Sequence, residues 1–255
     1  MLLIVSDMHF GKADRNAERA KEADLLALLD SLQDDLEAVY LLGDVSDQYV
    51  EYRHLIPKGF VRFQGRLAQL TDSGIPVHYV VGNHDPWHID HFEQELGVRV
   101  HRQPITVPFH DRNFVLGHGD EAGIDQMSAM LRRVVRHPIP FALFRTLLPA
   151  DAAHRLARWT KNRFGSDSVE PQTIERLEHH ARELLEGEAD VVVQGHSHRP
   201  QCVEHGRGVY VNTGSWHVDR TYATVDKSSI VLRQWNGEDV SVYLFHVAEN
   251  SRSGH

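Results

Sequence analysis

Val80-Val81-Gly82-Asn83-His84-Asp85 ends a run of apolar, β-branched residues on three polar side chains. A short apolar run cut off by Gly and Asn is the pattern of a buried strand whose carboxyl end brings its polar residues to one spot. Asn83 offers a neutral oxygen to a cation. His84 can give or take a proton near neutral pH. Asp85 can fix the His84 ring in one tautomer. Four other strand ends carry the same signature: Ser6-Asp7-Met8-His9, Gly43-Asp44-Val45-Ser46-Asp47, Gly117-His118-Gly119-Asp120 and Gly195-His196-Ser197-His198.

Working outward, the pattern predicts strands at 2–5, 38–42 and 77–81. Helices are predicted at 20–36, where Leu25, Leu28, Leu29, Leu32 and Leu36 recur at helical spacing, at 55–72, ended by Ser73-Gly74, and at 88–96. The order β-α-β-α-β-α favours right-handed crossovers and a largely parallel sheet covered on both faces, an α/β fold. Polar groups then gather at the carboxyl ends of the strands, where Asp7, Asp44 and Asn83 stand. Strands are expected over 98–107 and 113–116, a helix over 173–186, a strand over 190–193, and antiparallel strands from there to about Val247.

The stretch from Glu121 to Arg163 differs in character. Met127, Met130, Leu131, Val134 and Val135 lie along one side of a helix. Phe141, Leu143, Phe144, Leu147 and Leu148 follow, and then a second basic helix over 152–163. Arg132, Arg133, Arg136, Arg145, Arg155, Arg158, Lys161 and Arg163 concentrate positive charge in a chain whose net charge is −9. It looks like an insertion, serving either as a substrate lid or as a plain cap of solvated amphipathic helices.

The 255 residues, 41% of them hydrophobic, suffice to bury a core of ordinary composition. The acidic balance makes a general nucleic-acid binder a poor reading, and no interleaved basic and aromatic groove argues for one. Cys202 is the only cysteine, which excludes an internal disulfide and fits a reducing compartment. Met1 to Val5 run straight into the first motif without a basic leader. No apolar run approaches the roughly 20 residues that span a bilayer. A cytoplasmic location is expected, with peripheral contact at the inner membrane face open. The oligomeric state is not legible.

Taken singly, each motif has a plainer reading. Asp-x-His is more often a surface pair, Asp44 serves as well as a helix N-cap, Asn83 suits a turn, and a lone buried histidine is usually a satisfied core residue. Five tips rich in Asp, Asn and His argue otherwise. Carboxylate, amide and imidazole ligands without thiolate suit Mn²⁺, Fe²⁺, Zn²⁺ or Co²⁺, with Mn²⁺ placed first. The ligand count exceeds what one ion needs, so two divalent metal ions are expected. At about 3.5–4 Å apart, two ions activate water and hold a phosphoryl oxygen.

In this order, Asp7-x-His9, Gly43-Asp44-x-x-Asp47, Gly82-Asn83-His84-Asp85, Gly117-His118 and Gly195-His196-x-His198 resemble the full signature of the calcineurin-like metallophosphoesterases, over nearly the whole chain. The resemblance implies a four-layer αββα sandwich of two mixed β-sheets flanked by helices. A single domain at 1–248 would carry a helical insertion at 121–165, followed by a disordered tail at 249–255. It implies one ion on Asp7, His9, Asp44 and His198, and a second on Asp44, Asn83, His118 and His196, with Asp44 bridging. His84 would serve the leaving-group oxygen, with Asp85 orienting its ring. Asp47 stands at a more variable position, outside this ligand set.

The insertion's place resembles the helical lid of the UDP-2,3-diacylglucosamine diphosphatases, which split a lipid A precursor into a lipid-bearing sugar phosphate and UMP. That resemblance implies a lipid-linked nucleotide sugar as substrate, with headgroup contacts near Asp125, Thr160, Asn162 and Arg163. The best-known diphosphatases carry Arg where His84 stands. A soluble phosphodiesterase or phosphatase for nucleotides or another small phosphoester therefore remains the alternative, and a non-catalytic metal-dependent scaffold is a third.

Overall fold

In the computed structural model, strand β1 (Leu2–Val5) lies in the middle of a seven-stranded sheet, and all four of its side chains are buried. The structure describes residues 1–122, 126–164, 171–237 and 240–243, with the backbone alone at 126–128, 131, 138, 158, 160–164 and 240–243. Side chains alternate across a strand. Leu3 and Val5 therefore pack with helices α1 (Arg15–Leu32) and α2 (Val61–Asp72), while Leu2 and Ile4 face a second sheet. Parallel to β1 run β2 (Ala38–Leu42), β3 (Val77–Val80) and, after the short helix α3 (His91–Gln94), β4 (Arg99–His101).

The second sheet starts with the hairpin β5 (Ile105–Phe109) and β6 (Arg112–Leu116). Three helices follow, α4 (Gln126–Arg136), α5 (Pro138–Leu147) and α6 (Ala150–Phe164), then α7 (Pro171–Leu185) and β7 (Val191–Gln194). Next come β8 (Gln201–His205), β9 (Gly208–Asn212), β10 (Thr221–Val225), β11 (Ile230–Trp235) and β12 (Val240–Tyr243). The sheets run β12-β11-β10-β1-β2-β3-β4 and β5-β6-β7-β9-β8. Both are mixed: β1 pairs antiparallel with β10 and parallel with β2, and β9 pairs antiparallel with β8 and parallel with β7.

Ile4, Phe114, Val193, Val211 and Leu232 fill the space between the sheets, and α7 covers the outer face of the second through Leu177, Ala181 and Leu185. This is the expected sandwich of two mixed sheets between helices. Each such side chain, fully buried, contributes about 1.5–3 kcal/mol.

Three boundaries differ from the periodicity, for local reasons. α1 begins at Arg15 because the Asp14 carboxylate accepts from the Asn16 and Ala17 amides at 2.8 and 3.1 Å, an N-cap ahead of the apolar stripe. α2 begins only at Val61, since Gly59 and Phe60 hold left-handed φ values of 119° and 52°. The single strand expected over 98–107 is two, β4 and β5, which belong to different sheets and are parted around Pro104, which has no amide to donate.

α4 to α6 lie within 121–165, between β6 and α7. Pro138 opens α5, and the His137 side chain accepts from the Ile139 amide at 3.2 Å. Trp87 fastens the insertion to the sandwich: its Nε1 donates to Val135 O at 2.9 Å, and its ring stacks on Phe141 at 5.7 Å. Phe141 and Phe144 both pack on Trp87, so they anchor α5, while Leu143 and Leu147 remain exposed. Among the described residues no helix is long and apolar enough to cross a membrane.

Candidate metal centre

β1, β2, β3, β6 and β7 all end at the same edge of the sandwich, and their tips carry the seven candidate ligands. Three sets of facing ligand atoms result: Asp7 with His9 and His198, His9 with Asp44 and His84, and Asp44 with His118 and His196. His9 Nε2 lies 3.1 Å from His198 Nε2 and 3.7 Å from Asp7 Oδ1. His118 Nε2 lies 3.4 Å from Asp44 Oδ2 and 3.0 Å from Asn83 Oδ1. Asp44 stands between the two halves, its Oδ2 also 3.8 Å from His9 Nε2.

The backbone is strained to achieve this. Asp7, His9, Asp44, His196 and His198 all have φ between 43° and 67°. Left-handed φ at a non-glycine residue costs on the order of 1 kcal/mol or more, and such residues gather at functional sites. Gly82 and Gly195 make room: a Cβ at Gly82 would fall on the Asp44 carboxylate, and one at Gly195 on the Asp7 carboxylate and Ser6 hydroxyl.

Asp85 departs from its expected role. It does not orient His84. Its carboxylate accepts from the amides of Gly82 (2.7 Å), Val45 (2.7 Å) and Ser46 (3.3 Å) and from the Tyr79 hydroxyl. It ties the β2 tip to the β3 tip and so sets Asp44 beside Asn83. The His84 ring is held by a main-chain group instead, with Nδ1 3.1 Å from Asp47 O. The Asp47 carboxylate in turn faces His9 Nδ1 at 3.5 Å, a supporting place that the motif position alone did not reveal.

Charge and burial make the cluster a cation site. Burial alone would raise the Asp7 carboxyl, yet His198, His9 and His118 outweigh it and hold the group far below the usual range. Asp44 behaves the same way under His118, His84 and His9. Burial lowers His9, but Asp47, Asp7 and Asp44 carry it up to about 9. Burial and then the neighbouring His118 push His196 down to about 4, leaving it a neutral ligand. Asp7 Oδ1 is buried without a hydrogen-bond partner among the described residues. Ionised buried oxygens, converging imidazoles and an orphaned acceptor fit divalent metal ions.

The sequence profile described as calcineurin-like phosphoesterase matches residues 1–200. The chain belongs to that family. Family and ligand geometry make it a metal-dependent phosphoric ester hydrolase. The phosphoesterase is 34% identical over 161 residues to a UDP-2,3-diacylglucosamine hydrolase of Porphyromonas gingivalis, covering 62% of this chain but only 58% of that protein. Proteins of the same name from Pseudomonas fluorescens and Serratia proteamaculans are 28% and 26% identical, over 78% and 91% of this chain and 80% and 98% of theirs.

Of the four expected substrate contacts, Asp125 lies outside the described residues, as does the tail at 249–255. Thr160, Asn162 and Arg163 lie on α6, where the backbone alone is described. Asp120 was legible only as part of its motif. It receives Arg132 Nε and an Arg136 guanidinium nitrogen, both at 2.7 Å, and Arg136 also donates to Gly82 O at 2.9 Å. Arg132 and Arg136 thus dock α4 onto the loops that carry candidate ligands, and their spacing at i and i+4 on one helix face was the available signal.

Proposed function

We propose that this phosphoesterase cleaves the pyrophosphate of UDP-2,3-diacylglucosamine, giving a lipid-bearing sugar phosphate and UMP. In this reading Asp7, His9, Asp44 and His198 hold one divalent ion, Asp44, Asn83, His118 and His196 hold the second, and Mn²⁺ is the first choice for both. Bound there, the ions would activate water and neutralise phosphoryl charge. The chain's own residues do the rest. His84, 24% exposed and held through Nδ1, delivers a proton from Nε2 to the leaving-group oxygen.

The observation that carries the substrate assignment is the insertion docked on the metal loop beside an apolar groove. The groove, of about 610 Å³, is lined by Val50, Tyr52, Leu55, Ile56 and Ala150 together with the polar Lys58, Asp151, His154 and Arg155. An acylated sugar phosphate needs an apolar surface of this kind next to cations. α4 to α6 act as its lid in this proposal, and exposed Ile139, Leu143, Leu147 and Trp159 meet the inner membrane face. The relatives of that name support the same substrate.

The test is hydrolysis of UDP-2,3-diacylglucosamine by purified protein with Mn²⁺, expected to release UMP. His84 favours the second reading, a phosphodiesterase for nucleotides or another small phosphoester. Cleavage of a chromogenic phosphodiester without UMP release from the lipid would establish that reading instead.

A further inference from the structure

Lys21 is a lysine with 1% of its surface exposed, a costly place for an ammonium unless it is paired. Its Nζ has three partners: the Glu18 carboxylate at 2.9 Å, the main-chain carbonyl of His9 at 2.9 Å and His217 Nδ1 at 3.2 Å. Glu18 also accepts from the amides of Gly11 (3.0 Å) and Ala13 (2.7 Å). Two side chains on α1 thereby grip the turn that carries His9, which sits at a φ of 43°. The loop after β9 grips the same turn from the other side: His217 N and the Ser215 hydroxyl both donate to Asp7 O, at 3.0 and 3.1 Å. Asp85, on the other strand tips, does the corresponding work for Asp44 and Asn83 through bonds of its own, while the main chains of the two tips also meet, Asp7 N donating to Gly43 O at 3.1 Å and His9 N to Asp44 O at 2.8 Å.

Resting on the metal-centre reading above, we propose that Glu18, Lys21 and His217 are positioning residues for the Asp7–His9–His198 half of the centre, as Asp85 is for the other half. None of the three touches substrate. They hold a strained turn whose relaxation would swing the His9 imidazole and the Asp7 carboxylate away from His198. Outer partners of metal ligands typically change affinity by about 10–100-fold when removed.

The experiment is a Mn²⁺ titration of the metal-stripped full chain by calorimetry, on wild type, Lys21→Met and Glu18→Gln, with circular dichroism as a check on folding. Wild type is expected to show two binding events. In each variant one event weakens about 10–100-fold while the other stays within error of wild type. Glu18→Gln keeps the side chain's shape and one carbonyl acceptor, so it decides the matter if Lys21→Met does not fold. Isotherms superimposing on wild type would overturn the proposal, and so would equal weakening of both events. Failure of wild type itself to bind Mn²⁺ would instead sink the metal-centre reading.

Discussion

His9 Nε2 and His198 Nε2 face each other at 3.1 Å, with Asp7 Oδ1 3.2 Å from the latter. Without a cation, only one proton can lie between two imidazole nitrogens so placed. A divalent ion accepts both lone pairs together with the carboxylate. Ion binding should therefore stabilise the fold by about 2.7 kcal/mol per site at free metal 100-fold above Kd. Chelation is expected to lower the thermal midpoint, and His198→Ala to remove about half of the metal measured by elemental analysis. An unchanged midpoint on chelation would contradict this.

His84 Nδ1 faces the Asp47 carbonyl, which can only accept, so Nδ1 carries the proton and Nε2 is the exchanging nitrogen. Removing a general acid typically costs about 10²–10⁴-fold in turnover. His84→Ala is expected to lose that much kcat while keeping wild-type metal content. Unaltered turnover would remove His84 from the chemistry, and no turnover by wild type with any phosphoester would favour a non-catalytic scaffold.

The strand tips were legible because β-branched runs ending in Gly and polar residues need only local chemistry to be seen: six of the candidate ligands, far apart in the chain, gather at one edge, and Asn83 joins them beside His118. What failed was partner choice. Asp85 follows His84 directly, and adjacency suggested a bond to its ring. The acceptor turned instead to Gly82, Val45 and Ser46, because buried amides at two strand ends had nowhere else to go. Lys21 was invisible for the opposite reason. On an amphipathic helix a lysine reads as solvated, and only the tertiary placement of His9 O and His217 shows that it is buried. The split of β4 from β5 likewise depends on which sheet each joins, information a hydrophobic pattern does not hold.

Asp85 satisfies three main-chain amides and a hydroxyl inside the protein, so Asp85→Asn replaces one acceptor oxygen with a donor pointed at other donors. Leaving buried donors unpaired costs about 1–3 kcal/mol each. The variant is expected to lose about 3 kcal/mol or more in denaturant unfolding at neutral pH. A loss below about 1 kcal/mol would show that the two strand tips are held by something else.

His88 is stacked on Tyr49 at 4.4 Å and edge-on to Tyr79 and Phe92, fully enclosed, with neither ring nitrogen hydrogen-bonded among the described residues. Burial, and then the nearby Arg102, push its pKa down to about 3. The unfolded chain protonates this residue near 6.5, so between about pH 6.5 and 3 the unfolded state binds the extra proton. Stability from this residue is thus intact above pH 6.5 and falls as the solution is acidified through that window, by on the order of a few kcal/mol at the bottom. Thermal midpoints at pH 7, 6 and 5 in saturating Mn²⁺ should fall more steeply for wild type than for His88→Phe, which keeps an aromatic ring in the stack and cannot titrate. The remaining histidines contribute equally to both proteins and cancel in the difference. Parallel pH profiles would mean that the ring accepts a proton in the folded state as readily as in the unfolded one.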